Sequence, residues 1–281
     1  MKKVLSAVLA IVLILTALAA FTSCKKAKFT IAVPNDASNE ARALKLLEVQ
    51  GLITLKKGVE NPTKNDIEEN PYGIEIKEAE AAQLPNLLKD VDYAVINSNY
   101  AIEAGITPFV TEGTDVSYPN IIAVKEGTQT AYKIKALVAA INSKAVKDYI
   151  ESTFKGAIVC DLKNVSEDGI DPTVPYEELS GATITIAASP TPHAEILKIA
   201  KTILAGKGIT LDIKVYNDYV LPNQVVENGE VDANYFQHVP YMNNFNAENG
   251  THIVSVLEVH HEPMGIYSDK NTSLDTIKNS K

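Results

Sequence analysis

Short apolar runs at residues 29–33, 94–96, 121–124, 182–187 and 211–215 punctuate the chain. Between them lie longer stretches in which apolar side chains recur at every third or fourth position. The first pattern predicts buried strands, and the second predicts helices with one core-facing side. The clearest helices are Tyr132–Ile141 and Lys144–Phe154, and the runs 39–47 and 193–204 follow the same spacing after polar loops. Alternation of this kind predicts an α/β fold, with sheets flanked by helices and ligands held outside the carboxyl ends of the strands. Residues 163–175 are rich in Asp, Gly, Pro and Ser and carry no periodicity, so they read as a surface linker.

The pattern runs twice. Thr30-Ile31-Ala32-Val33 leads through a polar loop to the helix-like run at 39–47, and Thr183-Ile184-Thr185-Ile186 leads to the one at 193–204. Leu84-Pro85-Asn86 precedes Val91-Asp92-Tyr93, and Leu221-Pro222-Asn223 precedes Val231-Asp232-Ala233. The tripeptides lie 137 residues apart and the Val-Asp pairs 140. Two divergent copies of one supersecondary unit predict two lobes of similar build. Two ordinary α/β units that share a tripeptide are the alternative.

The amino terminus belongs to neither copy. Lys2 and Lys3 precede an apolar run from Val4 to Phe21, followed by Thr22, Ser23 and Cys24. Positive residues, an apolar stretch and small residues before a cut describe an export signal. Small residues just ahead of a cysteine resemble a bacterial lipobox, although Phe21 departs from the aliphatic residue usual there. Residues 1–23 are then a lipoprotein signal peptide, Cys24 the lipidated residue and 24–28 its linker. An uncleaved anchor helix is the alternative, because about 18 apolar residues nearly span a bilayer. With Cys24 lipidated, Cys160 has no disulfide partner and reads as a small packed residue.

The formal charge is −9 over 281 residues, and loss of residues 1–23 removes two lysines and no acid, leaving −11. So acidic a chain lacks the basic stripe that a nucleic-acid partner requires. Arg42 is the only arginine among 26 basic side chains. It follows the turn-rich loop Pro34-Asn35-Asp36-Ala37-Ser38-Asn39 within one helical turn. A helix starting near Asn39 aims free N–H groups into a cleft, and a guanidinium there offers a planar, two-pronged donor to a carboxylate. A solvated surface arginine is the other reading.

Tyr219, Phe236, His238 and Tyr241 gather around the second Val-Asp copy. Aromatic walls suit a thioether, while their polar tips still hydrogen-bond. Core packing accounts for two of these four equally well. His260 and His261 are adjacent and precede Glu262, but adjacent side chains on an extended segment point apart. No metal site and no cofactor is therefore expected. No Gly-x-Ser-x-Gly elbow, His-Glu-x-x-His helix or phosphate-cradling glycine loop marks an enzyme.

Residues 181–269 resemble the start of a mature NlpA/methionine-binding lipoprotein. The runs that carry this are Pro192-His193-Ala194-Glu195-Ile196-Leu197, Asp218-Tyr219-Val220-Leu221-Pro222-Asn223, Asp232-Ala233-Asn234-Tyr235-Phe236-Gln237-His238 and Glu262-Pro263-Met264-Gly265-Ile266-Tyr267-Ser268. Residues 29–158 resemble that family's second part, on Arg42-Ala43-Leu44, Ala81-Ala82-Gln83-Leu84-Pro85 and Ala94-Val95-Ile96-Asn97-Ser98-Asn99-Tyr100-Ala101. The resemblance covers nearly the whole mature chain. In the family the half with Pro-His-Ala-Glu comes first; here it comes second, joined through 163–180. The chain thus resembles a circular permutation, which proteins tolerate when the old termini lie close and the cut is exposed.

The resemblance implies a type II two-lobe periplasmic-binding-protein-like fold, circularly permuted. It implies a small lobe at 29–112, a large lobe at 117–270 and a C-terminal helix at 271–281 returning to the small lobe. The implied function is that of a solute-binding protein, not an enzyme, lipid-anchored on the extracytoplasmic face of the cell membrane. It would close on L-methionine by a hinge and deliver it to the permease of an ABC importer. Arg42 and Asn39 are then expected at the carboxylate, Asn97 and Asn120 at the amino acid backbone, and Tyr219, Phe236, His238 and Tyr241 around the side chain. Asn120 follows Tyr118-Pro119, which departs slightly from the family's order. D-methionine, a methionine dipeptide or another apolar amino acid is an alternative ligand. A surface adhesin or scaffold without transport is the alternative from a different class.

Overall fold

The computed structural model describes residues 29–113 and 118–280. Cys24 and the signal segment before it lie outside the described residues. The chain begins with β1 (Phe29–Pro34), a small flap of β2 (Thr54–Leu55) and β3 (Ile67–Glu69), then β4 (Ile74–Ala79), β5 (Tyr93–Ile96) and β6 (Val110–Thr111). It crosses to β7 (Asn120–Lys125) and β8 (Val159–Cys160). It continues through β9 (Thr183–Ala188), β10 (Thr210–Val215), β11 (Ala233–His238) and β12 (Ile253–His261), and returns to β13 (Gly265–Tyr267).

Two large sheets result, ordered β4-β1-β5-β13-β6 and β10-β9-β11-β7-β12-β8. Each opens with a parallel trio, β4-β1-β5 in one and β10-β9-β11 in the other. Beside each trio lies an antiparallel strand supplied by the other half of the chain, β13 in the first sheet and β7 in the second. The chain therefore passes between sheets twice, once between Thr111 and Asn120 and once between His261 and Gly265. An antiparallel strand starts at the edge where its parallel neighbours end, so both crossings run past the carboxyl ends of both trios.

The helices are α1 (Ala37–Val49), α2 (Leu84–Leu87), α3 (Ser98–Glu103), α4 (Tyr132–Ile141), α5 (Lys144–Phe154), α6 (Glu195–Ala205), α7 (Leu221–Glu227), α8 (Val239–Asn249) and α9 (Asp275–Lys278). The bounds of α4 and α5 coincide with the apolar spacing in the sequence. Helix α1 starts two residues before Asn39, because the Asp36 side chain accepts the Asn39 N–H at 3.0 Å and caps the first turn. Each lobe has its own core. Ile31, Leu44, Leu47, Tyr93, Ile266, Leu274 and Ile277 pack in the first, and Ile122, Leu137, Ile184, Leu197, Leu211 and Tyr235 in the second. Among the described residues no helix is long and apolar enough to cross a membrane.

The internal repeat is physical, but its register differs from the one the sequence suggests. Asp92 Oδ2 accepts from Thr30 N and Oγ1 at 2.8 and 3.0 Å. Asp232 Oδ2 accepts from Thr185 N and Oγ1 at 2.7 and 3.0 Å. Thr30 thus corresponds to Thr185, not to Thr183, because the aspartate before β5 and β11 selects its strand partner by hydrogen bonding. The return to the first lobe comes at Gly265, before residue 271, since Gly265–Tyr267 pairs with β5. Cys160 lies on β8 opposite His260. Within the linker, Val174 is buried, and Tyr176 and Leu179 pack on the second core. This segment is irregular but anchored.

Candidate ligand-binding site

The carboxyl ends of β1, β5 and β11 and the start of β7 face one another across the interlobe gap, and the residues just beyond them line a single cavity. Asn39, Arg42, Asn97, Asn120, Tyr219, Phe236, His238 and Tyr241 all lie on its wall. The structure therefore brings together all eight residues singled out in the sequence. Ser98, Asn99, Gln237 and Glu262 complete the lining.

Local folding fixes each of these side chains. The Asn39 amide donates to both Asp36 carboxylate oxygens, at 2.9 and 3.0 Å, which turns Asn39 Oδ1 away from the helix end. That oxygen accepts from Asn97 Nδ2 at 2.9 Å and from His238 Nε2 at 3.3 Å, so it joins the two lobes. His238 caps α8: its Nδ1 accepts the Tyr241 N–H at 3.2 Å, which leaves the ring proton on Nε2. Burial, aided by the nearby Arg42 charge, pushes His238 down to about 3, so the imidazole is neutral.

The aromatic side is one packed group. Tyr219 lies 5.7 Å from Phe236 and 5.8 Å from Tyr241, measured between ring centroids, and Phe236 lies 5.9 Å from Tyr241. These spacings fit tilted and edge-to-face packing. The Tyr241 hydroxyl donates to the Tyr219 carbonyl at 2.9 Å, and the Tyr219 hydroxyl reaches across to Asn99 Oδ1 at 2.6 Å. Behind Phe236, the amides of Asn223, Asn234 and Gln237 satisfy one another in a closed network, which holds the β11 end rigid.

Arg42 is buried, not solvated, and it is not alone. Its Nε donates to both Glu112 oxygens at 2.8 and 2.9 Å, and one terminal nitrogen adds a further bond to Glu112 at 2.5 Å. The same nitrogen donates to the Glu262 carbonyl at 2.7 Å, and Glu112 also accepts the Met264 N–H at 2.7 Å. The guanidinium lies over the Tyr118 ring, 4.5 Å from its centroid. Glu112 and Tyr118 sit on one crossing and Glu262 and Met264 on the other, so Arg42 ties both crossings to α1. Its second terminal nitrogen, Nη1, makes no hydrogen bond among the described residues.

Neither Glu112 nor Tyr118 stood out in the sequence, because 70 residues separate Glu112 from Arg42 and nothing local marks the pair. Asn99 and Glu262 lay inside quoted motifs but carried no signal of a role. Two buried atoms in this wall, Asn97 Oδ1 and Asn99 Nδ2, have no hydrogen-bond partner among the described residues. An acceptor and a donor unpaired among the described residues, with a guanidinium beside an aromatic pocket, match a small zwitterion with an apolar tail. The Arg42–Glu112 pair is neutral as a unit, so a ligand that is neutral overall adds no net charge to the site.

His260 and His261 point apart as their adjacency requires. His260 Nε2 meets Glu262 Oε1 at 2.8 Å, and His261 Nδ1 meets Asp161 Oδ2 at 2.8 Å. His193, from the turn after β9, joins His260 and Glu262, with its Nε2 3.0 Å from Asn120 Oδ1. Burial lowers both His193 and His260 to about 3 and raises the Glu262 carboxyl above its usual range.

A model of the NlpA lipoprotein family matches residues 21–161 and 184–281. A probable D-methionine-binding lipoprotein of Pasteurella multocida is 41% identical over 135 residues, 46% of this chain and 49% of its own. A methionine-binding lipoprotein of Bacillus subtilis is 50% identical over 95 residues, 34% of this chain and 35% of its own. The chain spans about half the length of the curated relatives it matches. A solved nutrient-binding protein from Burkholderia cenocepacia, bound to methionine, is 45% identical with a TM-score of 0.44, over 48% of this chain and 61% of that one.

Proposed function

The chain belongs to the NlpA lipoprotein family, and from that premise we propose that it captures methionine between its lobes for an ABC importer. It acts as a binder, not an enzyme. The observation that carries this reading is that Asn97 Oδ1 and Asn99 Nδ2, unpaired among the described residues, share with Arg42 the wall of a cavity closed by Tyr219, Phe236, His238 and Tyr241. In this reading the guanidinium takes the carboxylate, the Asn97 oxygen takes the ammonium, and the rings surround the thioether, where each sulfur–ring contact contributes roughly 0.3–1.5 kcal/mol. Asn39 and Asn120 complete the polar end. Curated relatives are named for D-methionine and for methionine, and the L-enantiomer is the ligand proposed for this chain.

Isothermal titration with L-methionine, D-methionine, norleucine and methionine dipeptides tests the assignment. Tight binding of L-methionine, weakened by Phe236→Ala and by loss of the ligand's carboxylate, is expected. Equal heats for all four ligands, or none for any, refute the reading.

The membrane association proposed is a lipid on Cys24, supported by membership of a lipoprotein family. Mass spectrometry of the membrane-extracted protein detects the added acyl chains, and an unmodified Cys24 refutes it. The permuted order of the halves is part of the same proposal. It is supported by the unmatched join at 162–183, by relatives that align over one half at a time, and by α9 packing in the core that also holds Phe29. A rearranged chain with residues 184–280 ahead of 29–161 is expected to fold and bind methionine as the natural order does. Failure of that rearranged chain to fold overturns the permutation.

A further inference from the structure

His193 comes from the turn after β9, while His260 and Glu262 lie 67 and 69 residues further on, at the end of β12 and the start of the second crossing. All three are buried, with 1%, 0% and 6% of their surface exposed. Their nitrogen and oxygen ligand atoms lie within 4.8 Å of one another. Glu262 Oε1 is 2.8 Å from His260 Nε2 and 3.6 Å from His193 Nε2. Asn120 Oδ1 is 3.0 Å from His193 Nε2. A tetrahedral zinc ion with bonds of roughly 2.0–2.1 Å spaces its ligand atoms roughly 3.3–3.4 Å apart. These three separations fall on either side of that edge, and shifts of a few tenths of an ångström close the polyhedron.

We propose that His193, His260 and Glu262, with Asn120 as a fourth oxygen donor, form a divalent transition-metal site beside the amino acid cavity. Zinc is the ion best matched to two imidazoles and a carboxylate in four-coordinate geometry. The outer partners support it. Tyr235 OH bonds His260 Nδ1, the kind of contact that fixes the orientation of a ligating imidazole. His193 Nδ1 is buried and has no hydrogen-bond partner among the described residues. On metal binding each imidazole proton moves from Nε2 to Nδ1, which frees both Nε2 lone pairs and leaves the ring charges unchanged. On His260 the moved proton faces Tyr235, and on His193 it occupies the unpartnered atom. Glu262 and Asn120 also line the cavity, so the ion's path in is the open cleft, and the ion shares Asn120 with the amino acid.

The test is made on the purified, metal-stripped protein without methionine, so its outcome does not depend on the methionine reading. Titration with zinc chloride and elemental analysis are expected to give one ion per chain. Glu262→Gln and His260→Gln each reduce zinc affinity at least tenfold, and Tyr235→Phe reduces it by about 10–100-fold through the outer contact. Cobalt(II) in place of zinc is expected to give the intense visible absorption of a four-coordinate ion. Absence of stoichiometric zinc overturns the proposal. Zinc binding that persists unchanged in both ligand variants also overturns it, because the ion then sits at His252 or His261. Should those variants fail to fold by circular dichroism, the cobalt spectrum of the unsubstituted protein decides: a weak six-coordinate spectrum overturns the site.

Discussion

Removing Arg42 strands Glu112. The two side chains are 6% and 4% exposed. With Arg42 gone, the Glu112 carboxylate keeps a single donor among the described residues, the Met264 N–H at 2.7 Å. Breaking a buried ion pair from one side costs about 3–5 kcal/mol, because the remaining charge is desolvated and unpaired. For a domain of this size each kcal/mol moves Tm by about 2–4 °C, so Arg42→Met is expected to lower Tm by roughly 6–20 °C. Glu112→Met leaves the opposite charge and is expected to cost a similar amount. The double variant Arg42→Met/Glu112→Met removes both charges, and apolar replacement of a whole buried pair is often neutral or better. Urea unfolding followed by circular dichroism on the four proteins closes the cycle. The double variant is expected to regain most of the lost stability. It should still bind methionine about 10–100-fold more weakly, since a hydrogen bond to a charged group contributes about 1.5–3 kcal/mol. A double variant as unstable as the singles refutes the ion-pair argument. One that binds methionine normally refutes the role of Arg42.

Glu40 is pushed up to about 7 by burial and by its neighbour Glu78. A carboxyl whose folded value is raised contributes stability fully present below its unfolded value and lost as pH rises through the folded one. Tm is therefore expected to fall between about pH 5 and pH 8, and Glu40→Gln, which keeps the Lys64 N–H acceptor, should flatten that slope; an unchanged slope sinks the assignment. Leu137, fully buried between α4 and the second sheet, should cost about 2–5 kcal/mol on replacement by Ala, read by urea unfolding, and a loss under 1 kcal/mol would contradict its placement. Tyr219→Phe removes the cross-lobe bond to Asn99 and is expected to weaken methionine binding roughly 3–10-fold for a net bond of about 0.5–1.5 kcal/mol. Titration calorimetry giving equal affinity would show that this hydroxyl does not favour closure.

Helices α4 and α5 were legible to the residue because apolar spacing is a local fact. The Leu-Pro-Asn and Val-Asp copies likewise announced two lobes, since each marks a helix start or a strand entrance within a dozen residues. Arg42, Tyr219, Phe236, His238 and Tyr241 could be singled out because they lie near strand ends or in the loops and first helical turns beyond, whereas Asn39, Asn97 and Asn120 were named as ligand residues only through the family resemblance. What the sequence did not reveal depends on where distant segments meet. The strand β13 belongs to the first sheet only because β5 offers it an antiparallel edge. Thr30 matches Thr185 only because Asp92 and Asp232 choose those partners. Arg42 met Glu112 across 70 residues, and His193 met His260 across 67. Periodicity and turn chemistry act over a few residues, so the sequence determined the elements and the open ends that face the cleft. Charge pairing and buried polar contacts act through space, so the path of the two crossings decided which groups share that cleft.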